Sequence, residues 1–375
     1  MHINIDEKSN CTGCYACENA CPVQCIEMKT DEEGFWYPVV NNDKCINCEI
    51  CIKSCPIINF TAVENTPLVY GGYSLNKKNL LESSSGGLFT ELSSKVIELG
   101  GTVFGAVFDS KFNVVHLEIT KTEDLKLMRG SKYVQSNIGA SYKKAKEILE
   151  NGKIVYFSGT PCQIEGLLHF LKRDYKNLIC QDIICHGVPS PMIWDSYLKR
   201  FNLDKDAKIS FRDKKISWER YSFTIDNYFS QQGIDNDYIK LFLNNYSLRP
   251  SCYKCHYKTI TRRSDITLAD FWGVKDSYPD LYNSKGTSLI FINSEKGKKL
   301  FNSVKENIKY EKVELKKIIN KNSTISKSAY LPNNRGDFFK EINDKNFRKV
   351  TNKYVHIPWK LKFKRKLKRL FIRNN

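Results

Sequence analysis

Two copies of one cysteine pattern constrain this chain more than any other feature of it. Cys11, Cys14, Cys17 and Cys21, followed by Pro22, read C-x-x-C-x-x-C-x-x-x-C-P, and Cys45, Cys48, Cys51 and Cys55, followed by Pro56, repeat the spacing. A cubane cluster needs four thiolates converging from tetrahedral directions, and a tight loop with two-residue gaps supplies three of them. The fourth, held beyond a turn by proline, reaches the other cluster. The spacing therefore assigns Cys11, Cys14, Cys17 and Cys55 to one 4Fe-4S cluster, and Cys45, Cys48, Cys51 and Cys21 to a second. Gly13, Ala16 and Ala20 keep the first loop small enough to wrap its cluster. Zinc usually takes paired C-x-x-C knuckles rather than triple runs, and fits less well. Cys25 has no place in the pattern and is read as a small packing residue.

Nine of the 14 cysteines fall within the first 55 residues, which marks residues 1–62 as a separate module. This segment resembles bacterial two-cluster ferredoxins over its whole length, and the resemblance implies a carrier of single electrons that does no bond chemistry itself. Its opening, MHINIDEKSNCTGC, has neither a basic n-region nor an apolar h-region. A reducing, cytoplasmic setting is therefore expected, and a disulfide scaffold is disfavoured. No run of about 18 apolar residues predicts a membrane span. With 375 residues, 12% of them aromatic, the chain has material for two or three domains of roughly 150 residues. Charge is distributed unevenly around a net of +18: residues 1–62 hold nine acidic and four basic side chains, residues 335–375 three acidic and fourteen basic.

FTAVENTP (60–67) is a short polar connection suited to a domain boundary. Beyond it strand and helix signals alternate. LVYGGYSL, TVFGAVF (102–108), VVHLEI (114–119), IVYF (154–157) and LICQDII (178–184) read as strands. Leu88, Phe89, Leu92, Val96 and Leu99 follow helical spacing, Asn137 to Glu150 and IEGLLHFLK read as helices, and Glu295 to Asn307 as a closing helix. KISFRD, YSFTID, DITLADFWG and SLIFIN add strands. The expected fold class is α+β or α/β: a ferredoxin-like module fused to a mixed α/β domain, divided into 66–150, 151–330 and a basic tail over 331–375.

A second constellation is scattered through this body: Gly159-Thr160-Pro161-Cys162-Gln163, then Cys185-His186-Gly187-Val188-Pro189-Ser190-Pro191, then Cys252-Tyr253-Lys254-Cys255-His256. With SSSGGLFTEL, RGSKYVQS and DITLADFWG, these fragments resemble, in order, the family of coenzyme F420 hydrogenase/dehydrogenase beta subunits over roughly residues 66–310. The resemblance implies a flavin, usually FAD, beside a 4Fe-4S cluster. Read from the residues alone, GTPCQ sits between a strand and a helix, where backbone N–H groups and the helix dipole can hold a phosphate or a thiolate. Ser84, Ser85, Gly86 and Gly87 open another helix in the same way. The bland alternative for either motif is ordinary helix capping. Gly159, Thr160, Pro161 and Gln163, with Ser84 to Gly87, are thus candidates for a flavin pyrophosphate cradle, and Lys132 could supply charge. Asp270, with Trp272, matches a family motif near the cofactor, although an aspartate at a strand end also commonly caps a turn.

For a third cluster, Cys252 and Cys255 give two ligands, and Cys162 and Cys185 from loop positions complete a tetrad. Zinc with cysteine and His186 or His256, and a redox-active dithiol, stay open as alternatives, and the sequence does not settle which four residues ligate. Cys180, inside an apolar strand, is read as packing, and His116, His169 and His356 as structural or surface residues.

From Lys360 onward there are eight basic and no acidic residues, and Trp359, Phe363, Leu367, Leu370 and Phe371 share one helical face. Such a basic amphipathic helix can lie on anionic lipid at the inner membrane surface, dock on an acidic partner or pack on the body. Nucleic acid is not expected as a partner, since no recognised motif accompanies the charge. Together these features point to an iron-sulfur flavoprotein oxidoreductase. It would exchange electrons with a soluble donor or acceptor such as ferredoxin or coenzyme F420, and act on that coenzyme or another organic substrate. The competing expectation is an electron-transfer subunit docked on a separate hydrogenase or dehydrogenase.

Overall fold

The structure, a computed structural model, describes residues 1–355. His356 and the basic stretch from Trp359 onward lie outside the described residues. The cysteine module is built from α1 (Ala16–Ala20), the strands β1 (Ile26–Thr30) and β2 (Trp36–Val40), and α2 (Ile50–Lys53). β1 and β2 pair antiparallel, from Ile26 opposite Val40 to Thr30 opposite Trp36. The cysteine repeat is also a backbone repeat. Gly13 and Tyr15 in the first run, and Asn47 and Glu49 in the second, all take left-handed φ values between 52° and 67°. Each pair bends the chain around its cysteines just before α1 or α2.

Residues 58–67 have no regular structure and lead into the body. There the chain forms β3 (Leu68–Ser74), α3 (Lys77–Glu82), α4 (Leu88–Glu98), β4 (Thr102–Phe108), β5 (Val114–Ile119), α5 (Ser141–Glu150), β6 (Val155–Ser158), α6 (Pro161–Leu171), β7 (Leu178–Ile183) and α7 (Pro191–Leu198). A small antiparallel sheet follows, β8 (Ile209–Asp213), β9 (Ser222–Ile225) and β10 (Phe229–Gln232), then α8 (Asp237–Leu243). The chain re-enters the main sheet through β11 (Ile266–Asp270), α9 (Val274–Ser277), β12 (Ser288–Ile292), α10 (Glu295–Asn302) and β13 (Ile308–Lys312). It continues into α11 (Leu315–Ile318), α12 (Arg335–Glu341) and α13 (Phe347–Tyr354).

The main sheet has eight strands in the order β13-β3-β12-β11-β7-β6-β4-β5. β4, β6, β7 and β11 are mutually parallel. β12 is antiparallel to both β11 and β3, so β3 runs with the parallel set. This is a mixed α/β body, and its one sheet draws strands from both the 66–150 and the 151–330 ranges. On one face α4 and α10 bury Leu88, Leu92, Val96, Leu300 and Phe301 against Val103, Ile266 and Ile290. On the other face α5 and α6 bury Tyr142, Ala145, Ile164 and Leu167 against Phe104, Val155 and Phe157. β4 is apolar on both sides for that reason. The small sheet joins α7, α8, α12 and α13 in a third core around Trp194, Phe211 and Tyr238.

Three local expectations change. The helix expected from Asn137 begins at Ser141, because Asn137 N–H donates to Val114 O and Asn137 O accepts from His116 N–H, which draws the segment alongside β5. The closing helix ends at Asn302, and a 3-10 turn over Lys305–Asn307 follows. Residues 335–354, assigned by charge to a tail, place Phe338, Phe339, Phe347, Val350 and Tyr354 in the third core.

The cysteine module is seated on the body by buried polar contacts. Arg335, in α12, holds Glu33 with two 2.7 Å bonds, one from each terminal nitrogen, the bidentate geometry that makes such pairs strong. Arg249 is fully buried. Its Nε donates to Cys11 O at 2.8 Å and its Nη2 to Trp36 O at 2.9 Å. Tyr15 enters the α5/α6 core, and α6 passes so close to Cys14 that a Cβ at Gly166 would stand 2.9 Å from the Cys14 Cβ.

Candidate iron-sulfur and sheet-edge sites

The two runs exchange their last cysteines in space. A cavity of about 350 Å3 is lined by Cys11, Cys14, Cys17 and Cys55, and a second of about 290 Å3 by Cys21, Cys45, Cys48 and Cys51. Cys14 is buried whereas Cys48 is exposed, so the second set reaches the surface through Cys48. Backbone amides point at the sulfurs: Ile3 N–H donates to Cys51 Sγ at 3.3 Å and Cys25 N–H to Cys21 Sγ at 3.3 Å. Cys25 is buried, lines the second cavity, and sits 3.4 Å from Cys21 Sγ to Sγ.

A third cavity, about 480 Å3, is lined by Cys162, Cys185, Cys252 and Cys255. Three separate stretches deliver them. Cys162 is the second residue of α6, which a Thr160–Gln163 capping box and Pro161 start in place. Cys185 follows the end of β7, Cys252 sits within the turn over Pro250–Lys254 and Cys255 closes it. Thr160 Oγ1 lies 3.2 Å from Cys162 Sγ, and Val188 N–H donates to Cys252 Sγ at 3.4 Å. Cys180 points elsewhere, into the α5/α6 core. His186 lines the cavity but its Nε2 is 2.8 Å from Asn245 Oδ1, and His256 packs on the Phe60 ring.

Among the described residues no three His, Cys, Asp or Glu side chains converge tightly enough to hold a single metal ion. Four cysteines lining one cavity without converging on a single point fit a cluster better than zinc. Burial pushes the Cys14 and Cys252 thiols up to about 12 and those of Cys162 and Cys185 upward as well. Loading therefore releases protons, which links metal uptake to pH. The inner and first cavities adjoin: Thr12 lines both.

The remaining candidates gather at the carboxyl ends of the parallel strands, where open α/β sheets bind ligands. The SSSGG turn follows β3 and α3, GTPCQ follows β6, and Asp270 ends β11. RGSKYVQS straps them together. Ser131 N–H donates to Ser84 Oγ at 2.7 Å, and Gln163 Nε2 donates to Ser136 Oγ at 2.9 Å. Ser85 Oγ and Gly86 N–H bond to Thr287 O and Ser288 Oγ. Gly87 opens α4 at φ 86°. Gly159 packs against Gln163. Lys132 is partly buried, touches the Met128, Arg129 and Gly130 carbonyls, and lies over the Phe108 ring. Asp270 is committed to protein partners, accepting from Arg212 and from Trp218 Nε1.

Sequence reasoning missed several residues here. Arg212 and Lys214, from β8 and just after it, are buried against this edge. Lys214 Nζ donates to Leu80 O and Ser85 O, both at 2.7 Å, while Arg212 Nε and Nη2 have no partner. Burial pushes the Lys132 and Lys214 ammonium groups down to about 7. Orphaned guanidinium N–H groups and cations facing only carbonyls fit an anionic group such as a flavin pyrophosphate. The one sequence signal was the charged run Arg212-Asp213-Lys214-Lys215 closing a strand pattern. Arg249, Lys258 and Arg262, around the inner cavity, gave no signal at all.

Residues 10–57 match the 4Fe-4S dicluster domain model, and residues 152–318 match that of the C terminus of the coenzyme F420 hydrogenase/dehydrogenase beta subunit. The F subunit of the F(420)H(2) dehydrogenase of Methanosarcina mazei is 23% identical over 314 residues, 79% of this chain and 82% of that one. The ferredoxin-type protein NapF of Haemophilus influenzae is 36% identical over 44 residues, 12% of this chain and 25% of its own. Among solved structures, a chain of the F420-reducing NiFe hydrogenase complex from Methanosarcina barkeri aligns with TM-score 0.48 and 15% identity, over 78% of this chain and 90% of that chain. Residues 10–57 thus match a 4Fe-4S dicluster domain, and residues 152–318 match the C-terminal region of coenzyme F420 hydrogenase/dehydrogenase beta subunits.

Proposed function

We propose that the protein is an iron-sulfur flavoprotein oxidoreductase that passes electrons between its ferredoxin-type clusters and a flavin at the sheet edge, which acts on coenzyme F420 or another organic substrate. One observation carries this reading. Each of three cavities is lined by its own cysteines, four in the first and inner ones and five, Cys25 included, in the second, and Thr12 forms a common wall between the first and the inner one. The ligand sets are Cys11, Cys14, Cys17 and Cys55; Cys21, Cys45, Cys48 and Cys51; and Cys162, Cys185, Cys252 and Cys255. The exposed Cys48 makes the second set the end that meets an outside donor or acceptor, and the inner set lies nearest the carboxyl edge of β6 and β7.

The flavin would be FAD, and when bound it supplies the exchange between hydride and single electrons. The chain's part is to hold it and to keep water out. Ser84, Ser85, Gly86 and Gly87 at the start of α4, with Gly159, Thr160, Pro161 and Gln163 at the start of α6, bring backbone close to an anion. Lys132, Arg212 and Lys214 provide the countercharge. Asp270 acts one step removed, orienting Arg212.

The test is anaerobic purification with iron, sulfide and flavin counted per chain. About twelve irons and one flavin are expected. About eight irons, or iron without flavin, would end this reading. A second reading is favoured by the Methanosarcina mazei relative, which is named as one subunit of a dehydrogenase. Here the chain would be an electron-transfer subunit docked on a separate hydrogenase or dehydrogenase, with no substrate of its own. It predicts flavin reduction only in the presence of that partner, whereas a self-contained enzyme is reduced through its own ferredoxin module. No helix of the described residues is long and apolar enough to cross a membrane.

A further inference from the structure

The three cysteine cavities differ in charge. None of the residues lining the two ferredoxin cavities is a lysine or arginine, whereas Lys258 and Arg262 both line the inner one. Arg262 is neutralised locally by Asp182, 3.0 Å away and equally buried. Lys258 is not. Its Nζ donates to Cys185 O and to Thr324 O, the latter at 3.1 Å, and no acidic side chain of the described residues lies within ion-pair distance. Arg249 reaches both cavities: its carbonyl accepts from Cys252 N–H at 2.9 Å, its side chain bonds Cys11 O, and a Cβ at Gly13 would stand 2.8 Å from its Nη1. Arg249 therefore acts on the first and inner cavities together, and Lys258 is the charge that tells them apart.

Reduction adds a negative charge to a cluster, and a fixed cation nearby favours it, because cluster potential follows net charge and local hydrogen bonding. We propose that Lys258 raises the potential of the inner cluster above those of the ferredoxin pair, making it the electron sink of the relay and setting net flow from the ferredoxin module toward the sheet edge. The step this favours moves one electron from the ferredoxin pair to the inner centre. The first is oxidised by one electron, the second is reduced by one, and no proton moves. The electron is replaced by a one-electron donor docking at the Cys48 end. This inference rests on the proposed third cluster. In acting through the cluster rather than on substrate, Lys258 is a positioning residue.

The experiment is an anaerobic redox titration of the full chain followed by electron paramagnetic resonance, with the inner signal assigned by its loss in Cys252→Ser. In the unaltered protein the inner cluster is expected to reduce first. Lys258→Met should make the transfer equilibrium about tenfold less favourable, which is 59 mV for one electron, with both ferredoxin midpoints unmoved. Lys258→Arg, which keeps the charge, should restore it. Only about eight irons per chain would remove the third cluster and this inference with it. Three clusters with the inner one reduced last would overturn this inference alone. A correct order that neither Lys258→Met nor Lys258→Arg shifts would take the role away from Lys258. Should Lys258→Met fail to hold its iron, the order in the unaltered protein still decides.

Discussion

The ferredoxin module and the inner cavity gather their cysteines in two different ways, and in the proposed function both hold the same kind of cofactor. In the module, eight cysteines come from one stretch of chain, and the repeated left-handed turns at Gly13 and Tyr15, and at Asn47 and Glu49, shape the loops locally. In the body, four cysteines come from three stretches separated by strands and helices, and they meet only once the sheet has formed. A local site carries its geometry in its spacing and needs little charge around it. A site assembled from distant parts collects cations, here Lys258 and Arg262, that a local pattern does not.

The sharpest way to break this comparison is to remove one ligand from each kind of site. Cys252→Ser should cost about four irons and leave the ferredoxin pair intact, and Cys55→Ser should lose the first cluster while sparing the inner one. Iron analysis of each variant decides, and unchanged iron in Cys252→Ser would strike that residue from the ligand set. Next in size is Arg249→Ala. It deprives Cys11 O and Trp36 O of a charged donor and leaves a void beside Phe35 and Tyr37. A loss of about 3 kcal/mol is expected, read as a lower denaturation midpoint and as faster proteolysis between residues 58 and 67.

Arg212→Met should weaken flavin binding about tenfold to a hundredfold, the worth of one charged hydrogen bond, with iron content unchanged. Flavin affinity should also depend on pH. Protonated Lys132 and Lys214 attract the pyrophosphate, and burial holds both near 7, so binding is tightest below that pH and falls as pH rises through it. Fluorescence titration across pH 6 to 9 in the unaltered protein, and in Lys214→Met with its smaller dependence, measures this. The smallest effect belongs to Cys25→Ala. A buried thiol that packs beside Cys21 should cost about 1 kcal/mol of stability and no iron, and any loss of iron would make Cys25 a ligand.

How much was legible follows the same division. The runs at Cys11 and Cys45 announced themselves, because cluster geometry is written in gaps of two and three residues. Strands β4 and β5 could be read to the residue, since both are continuous apolar or alternating runs bounded by glycine or polar turns. The helix start at Asn137 could not, because the hydrogen bonds that pull Asn137 toward β5 come from a strand more than twenty residues earlier. Helix α7 was passed over, although Ser190 caps it and Pro191 opens it, because its Met, Ile, Trp and Tyr read equally well as a buried strand. Arg249, Arg262 and Lys258 were invisible for a plainer reason. A lysine or arginine in a sequence gives no sign of being buried, and only the fold shows what it faces.

The tight passage of α6 over Cys14 bears on how such a molecule is made. Gly166 pressed against that cysteine and Arg249 closed over the Cys11 carbonyl cover one side of the first cavity with the body. On a ribosome the cysteine runs emerge nearly two hundred residues before Arg249 is added. Access of iron and sulfide to that side of the pocket is therefore expected to be widest on the nascent chain, before the sheet is complete.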